Sequence, residues 1–272
     1  MTDIPLGKDV TYPDQYTADV LFPISRHLSR ENLGIESTAL PFFGVDIWNA
    51  YELSWLNDKG MPQVACARFH IPCESVSIVE SKSFKLYLNS FNQTRISSWD
   101  SVCDILVRDL SACVGAVVKV DLYTIGDGVS HIGFSTLSGF CLDTLDITVD
   151  QYDPDPRQLA TVNNVVTDEH LHSNLLRSLC PVTAQPDWGS VHIAYSGAQI
   201  DRAGLLKYLI GYRQHQEFHE QCVERIFRDI TDRCAPDELY VHAFYTRRGG
   251  LDINPYRSSS VSEPPLYRLF RQ

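Results

Sequence analysis

Glu80-Ser81-Lys82-Ser83-Phe84-Lys85 runs without a break into Leu86-Tyr87-Leu88-Asn89-Ser90-Phe91. Phe84, Tyr87, Leu88 and Phe91 fall at i, i+3, i+4 and i+7, the spacing of one buried helix face. The spacing predicts a helix from about Ser83, opened by an acid, two hydroxyls and two cations. Free backbone N–H groups and the dipole at such an end favour anions. Two lysines there suit a phosphate, and the acid just before them suits a base edge rich in N–H donors. The same cluster also reads as an ordinary helix start with solvated charges.

Working outward, strands are expected at Ile47 to Leu56 and Gln63 to Phe69, joined by the turn-like Asn57-Asp58-Lys59-Gly60. After the Ser83 helix, Ser97 with Asp100 resembles a capping box. Trp99, Val102, Cys103 and Leu106 keep the helical period, and Gly115 stops it. Ala116 to Tyr123 is an apolar, Val-rich strand. Gln151-Tyr152-Asp153-Pro154-Asp155-Pro156 reads as a linker. Beyond it come a strand at Val191 to Tyr195, a helix from near Asp201, a helix from about Phe218 to Asp229 and a strand from Glu238 to Thr246. The order recurs although the identities do not. The pattern is α+β in class: a lead-in over residues 1–45, then modules at 46–150 and 151–272, each with helices on one face of an antiparallel sheet.

At 272 residues, 44% hydrophobic and 21% charged, the chain is ordinary for a soluble globular protein. No apolar run nears the roughly 20 residues of a membrane helix. Met1-Thr2-Asp3-Ile4-Pro5 lacks a signal-peptide pattern, so a cytoplasmic location is expected. A formal net charge of −11, with no basic run longer than Arg247-Arg248, argues against direct nucleic-acid binding. None of the eight cysteines sits in a C-x-x-C pair, and reduced thiols are expected.

Among those thiols Cys180 stands apart, because Pro181 confines it to extended geometry and Asp187-Trp188-Gly189 follows closely. A thiol with an adjacent acid can add to a carbon–heteroatom multiple bond and protonate the heteroatom. A buried structural cysteine is the plainer alternative. His219, Cys222, Val223 and Ile226 share a helix face, with Glu220 about 100° round from His219. His219 is thus either an inert core histidine or a proton relay, and Glu220 an acceptor for a guanine-like N–H edge. Arg248-Gly249-Gly250 after a strand is either a surface hairpin or a phosphate-binding turn. His170-Leu171-His172 lacks a metal-ligand pattern and reads as a solvated polar segment, and Gly126-Asp127-Gly128 lacks the third glycine of a dinucleotide fingerprint.

Taken in order, Glu80-Ser81-Lys82-Ser83-Phe84-Lys85, Cys180-Pro181 with Asp187-Trp188, Phe218-His219-Glu220-Gln221-Cys222 and Arg248-Gly249-Gly250 resemble the NADPH-dependent 7-cyano-7-deazaguanine reductases, the nitrile reductases of queuosine biosynthesis. The likeness runs over nearly the whole chain and to the long, two-module branch. It implies two tandem tunnelling-fold (T-fold) modules, assembled around a tunnel with sites at module interfaces, and a homodimer. It implies Cys180 as nucleophile, Asp187 as proton donor and His219 as positioner and proton shuttle. Val79, Glu80, Ser81, His219 and Glu220 would bind the 7-deazapurine, while Ser81, Lys82, Arg248 and Gly249 would hold NADPH. Two NADPH serve each turnover, and no metal is expected. A cysteine-dependent nitrile hydrolase and a non-catalytic purine- or pterin-binding protein of the same fold are the alternatives.

Overall fold

The computed structural model describes residues 12–131, 134–266 and 268–272, a mixed α+β chain with mainly antiparallel sheets. It divides into two compact units that interleave along the sequence. Unit 1 takes residues 1–30, 45–133 and 247–253; unit 2 takes 31–44, 134–246 and 254–272. The segment 247–253, near the C-terminus, therefore belongs with the first unit. Among the described residues no helix is long and apolar enough to cross a membrane.

In unit 1 the strand Pro62–Pro72 lies between Lys119–Tyr123 and Phe43–Leu56, antiparallel to both. The helices Ser81–Ser90 and Trp99–Val114 bury Phe84, Tyr87, Leu88, Val102, Leu106 and Leu110 in one core with Trp48, Trp55, Ala67 and Phe69. Phe84 has no exposed surface; its ring centroid lies 5.0 Å from Phe69 and 5.3 Å from Trp48. The first helix starts at Ser81 rather than Ser83, because the Glu80 side chain caps it. The second is capped by Ser98 accepting from the Ser101 N–H, one residue later than the spacing predicts, and it ends on Gly115 at φ 72°. The following strand is confined to Lys119–Tyr123. The lead-in carries structure of its own. The strand Pro23–Ser25 pairs with Ser77–Val79, and buried Arg26 contacts Asp46 at 2.5 Å.

In unit 2 the strands run in the order Phe140–Cys141, Thr161–Ser173, Pro186–Ile200, Glu238–Tyr245 and residues 254–258 of the strand Leu251–Ser258, whose first residues belong to unit 1. Asp201 caps the helix Arg202–Ile210 through the N–H groups of Ala203 and Gly204, at the predicted place. The helix His219–Cys234 packs on Glu238–Tyr245 and buries Cys222, Val223, Ile226, Phe227 and Ile230. His170-Leu171-His172 lies inside the 13-residue strand Thr161–Ser173, not in a solvated segment. Pairing with Pro186–Ile200 overrides the polar composition. His170 meets Asp168 and His192 at 2.9 and 3.1 Å, and His172 Nδ1 lies 3.0 Å from Ser138 O.

His192 pairs across the ladder with His172 on one side and His242 on the other. Burial pushes His192 down to about 4 and His242 down to about 3. The unfolded chain takes up protons near the ordinary value of about 6.5 while these folded sites refuse them. Stability is therefore fullest above that value and falls as pH drops toward 4. In urea unfolding, His242→Phe should lose about 2 kcal/mol less than wild type between pH 7 and pH 5. Equal losses in the two proteins would mean that His242 is not a source of the acid sensitivity.

Candidate active site

Cys180 follows the strand Arg177–Leu179, which pairs with the start of Pro186–Ile200 so that Leu179 faces Pro186 and Ser178 faces Asp187. The intervening turn is closed twice. The Cys180 N–H donates to Gln185 O and the Ala184 N–H to Cys180 O, both at 2.9 Å, with Ala184 at φ 55°. Cys180 retains 8% exposure, whereas Cys222, on the neighbouring helix, has none. Burial pushes Cys222 well above the usual thiol value and lifts Cys113 to about 11. Those two thiols are packed as small hydrophobes.

Asp187 is 5% exposed, and its Oδ2 lies 3.5 Å from Nε2 of His219. His219 is the first residue of its helix, and its ring rests on Tyr245 with centroids 4.0 Å apart. Glu220 is 2% exposed in the same first turn, where the helix dipole favours its negative charge. The structure thus brings Asp187 and His219 together and sets Cys180 on the segment paired with Asp187.

Sequence reasoning missed what ties these pieces together. The Leu179 N–H donates to His215 O at 2.8 Å, and the Glu217 N–H donates to Leu179 O at 3.2 Å. Glu217 in turn receives Arg225 through Nε at 3.0 Å and Nη2 at 2.5 Å, and lies 2.9 Å from His215 Nε2. One buried carboxylate therefore fixes the residue before Cys180 and the approach to His219. The only signal was the i, i+8 pairing of Glu217 with Arg225 across a helix start.

The remaining predicted residues belong to unit 1. Glu80 has no exposed surface and receives the N–H groups of Lys82 at 2.8 Å and Ser83 at 2.7 Å. Burial raises its pKa, against the lowering effect of those two hydrogen bonds. These helix-end N–H groups are engaged by the chain's own carboxylate, so a phosphate here would meet lysine side chains instead. Val79 is buried in the strand beside Glu80, and Ser81 is half-buried. Lys82 Nζ donates to Tyr12 Oη at 2.5 Å and lies 4.3 Å from its ring centroid. Arg248 closes a turn by donating its N–H to Leu251 O at 2.8 Å, with Gly249 and Gly250 at φ 57° and 74°. A cleft of about 250 Å³ is lined by Glu52, Lys85, Asn89, Gly249 and Gly250. Lys85, the amide of Asn89 and backbone free of Cβ atoms offer donors to a phosphorylated ligand, with the Glu52 carboxylate an acceptor on the same wall.

Residues 12–122 match the family described as "Nitrile reductase, 7-cyano-7-deazaguanine-reductase N-term", and residues 186–264 match "QueF-like protein". The chain belongs to the 7-cyano-7-deazaguanine reductase family. Relatives named NADPH-dependent 7-cyano-7-deazaguanine reductase include one from Bordetella avium, 55% identical over 97% of this chain and 96% of its own length. One from Burkholderia orbicola is 58% identical, covering 94% and 93% respectively. Another, from Burkholderia vietnamiensis, is 57% identical over 98% of both chains.

In this reductase-family chain the Glu217 pairing has a definite pH signature. Burial pushes Glu217 up, but hydrogen bonds from His215 and Arg225 outweigh it and hold the carboxyl below its ordinary value. A depressed acid contributes stability above its unfolded pKa, and that contribution is lost as pH falls through the folded one. Glu217→Gln should cost about 2 kcal/mol at pH 7. The deficit should shrink below about pH 4. A deficit in urea unfolding that stays constant down to pH 3 would rule the ion pair out as its source.

Proposed function

We propose that this chain reduces the nitrile of 7-cyano-7-deazaguanine to an aminomethyl group with NADPH, in queuosine biosynthesis. Proteins named for that reaction are 54–58% identical to it over nearly its full length. The observation that carries the chemistry is a slightly exposed thiol on the segment paired with Asp187, itself 3.5 Å from His219. Three groups of those types in that relation suit addition to a polarised triple bond followed by proton transfer.

In this reading Cys180 sulfur bonds to the nitrile carbon, one C–N π bond breaks, and Asp187 delivers a proton to nitrogen. The product is a thioimide on Cys180. A hydride from NADPH adds to the same carbon, the C–S bond breaks with its electron pair returning to sulfur, and an imine remains. A second hydride and a proton give the amine, so two NADPH are oxidised per nitrile. His219 returns protons to Asp187 between steps. Glu220 accepts from the N–H edge of the base, a role that Val79, Glu80 and Ser81 share by family resemblance. Buried carboxylates left unpaired by a poorer ligand explain why substrate choice should be sharp. Ser81, Lys82, Arg248 and Gly249 hold NADPH, and the lysine and arginine favour its extra phosphate. The same resemblance supports tandem tunnelling-fold modules and a homodimer.

The test is intact mass spectrometry with the nitrile alone and then with NADPH. Wild type should gain the mass of one nitrile, Cys180→Ala should gain nothing, and NADPH should clear the adduct while its absorbance falls. Absence of any adduct on wild type would make the chain a binding protein. Ammonia release without NADPH consumption would make it a nitrile hydrolase.

A further inference from the structure

In unit 1 the ladder between Phe43–Leu56 and Pro62–Pro72 slips by one residue. Ala50 faces Ala67 and Leu53 faces Ala65, so Tyr51 and Glu52 together oppose a single residue, Cys66. Such a bulge bends its strand and re-aims the side chains it carries. Here both bulge residues meet the turn at Arg247–Leu251. The Tyr51 N–H donates to Gly250 O at 2.9 Å, and its ring centroid lies 5.4 Å from the Arg247 guanidinium. The Glu52 carboxyl lies so close to Gly250 that a Cβ there would come within 2.5 Å of it. The Tyr51 hydroxyl reaches past the turn and donates to Asp252 Oδ2 at 2.5 Å.

Asp252 is the end of a buried polar row. Asn49 Nδ2 donates to Asp252 Oδ1 at 2.7 Å, and Arg68 Nε donates to Asn49 Oδ1 at 3.0 Å. Exposure is 1% at Asp252, 5% at Asn49 and 3% at Arg68. Residues of apolar type and similar volume would stabilise such a place as well or better. What directed hydrogen bonds add is a fixed register, and the element they fix is the strand that leaves the Arg247–Gly250 turn.

We infer that Tyr51, Asn49 and Asp252 are positioning residues for the cofactor, holding the turn that presents Arg248 and Gly249. The inference rests on the reading that this turn binds NADPH. None of the three touches the reacting atoms in that reading, and Cys180 and Asp187 belong to the other unit. Loosening the turn should therefore weaken NADPH binding and leave the sulfur chemistry alone.

Steady-state kinetics of Tyr51→Phe and Asp252→Asn, both near-isosteric, test this against Arg248→Ala. Each positioning variant should raise KM for NADPH about tenfold, one lost hydrogen bond to a charged group. The value of kcat at saturating NADPH should stay within about twofold. The preference for NADPH over NADH should fall in parallel, and the adduct formed with nitrile alone should accumulate at the wild-type rate. If Arg248→Ala raises KM while both positioning variants leave it unchanged, the positioning inference fails and the cofactor reading stands. If Arg248→Ala leaves KM for NADPH unchanged, the cofactor reading fails and the inference falls with it. A variant that slows adduct formation as much as it weakens NADPH binding has a merely structural role and overturns the inference.

Discussion

A carboxylate with no exposed surface must be answered by donors, and Glu80 is answered by the first N–H groups of its own helix. The rest of the motif follows from that constraint. With Glu80 as cap, the helix must begin at Ser81, and its phase sends Phe84 and Tyr87 into the core. Lys82 and Lys85 are then left on the outer side, against Tyr12 and the Gly249 turn. Ser83 Oγ donates to Glu80 O and accepts from the Phe22 N–H, which docks the short strand Pro23–Ser25 beside Val79. A six-residue cluster of charges and hydroxyls is thus a folding instruction as well as the ligand site proposed above. The two uses share residues because one helix start serves both.

Unit 2 solves the corresponding problem with a carboxylate placed between two segments. Glu217 holds its position through Arg225 on the following helix, and its backbone holds Leu179, next to Cys180. Cys180 is therefore fixed from behind by a strand pair and from the side by the approach to the His219 helix. A thiol fixed in this way loses little freedom on meeting a substrate, which is how preorganisation contributes to rate. Cys222 is only a few residues from His219 in the sequence, yet it is fully buried and burial holds its thiol well above the usual value.

Much of this was legible in the chain, and the misses have physical causes. Helix phases were plain because Phe84, Tyr87, Leu88 and Phe91 have no competing period, and Gly115 and Asp201 stop and start helices as their chemistry requires. The strand Thr161–Ser173 was hidden because its first half is exposed and mixes valines with polar residues on both faces, so no alternation marks it. The exact start at Ser98 was ambiguous because Ser97 is an equally good acceptor one residue earlier. The lead-in looked irregular because a three-residue strand has no period to read, and it exists only through its pairing with Ser77–Val79. Of the candidate site, the proximity of Asp187 to His219 is what the structure adds to residue types and order. The closing of the turn after Cys180 and the Glu217 tie depend on contacts between segments tens of residues apart, which no local pattern encodes.

The bulge at Tyr51 is the instructive middle case, since its trace in the sequence is a change of parity. Trp48 and Ala50 face the core on even positions, and Leu53 and Trp55 face it on odd ones. A strand keeps its faces only if two neighbouring residues share one place, so Trp48-x-Ala50-x-x-Leu53-x-Trp55 demands a bulge between Ala50 and Leu53. The apolar pattern fixes where the bulge must fall but is silent on its purpose. That comes from the polar residues it redirects: a tyrosine and a glutamate, ordinary outward residues in a regular strand, turned onto Gly250 and Arg247, about 200 residues away. Unit 1 thus keeps its apolar face for the helices and uses a single inserted residue to tie the Arg247–Leu251 turn to the strand Phe43–Leu56.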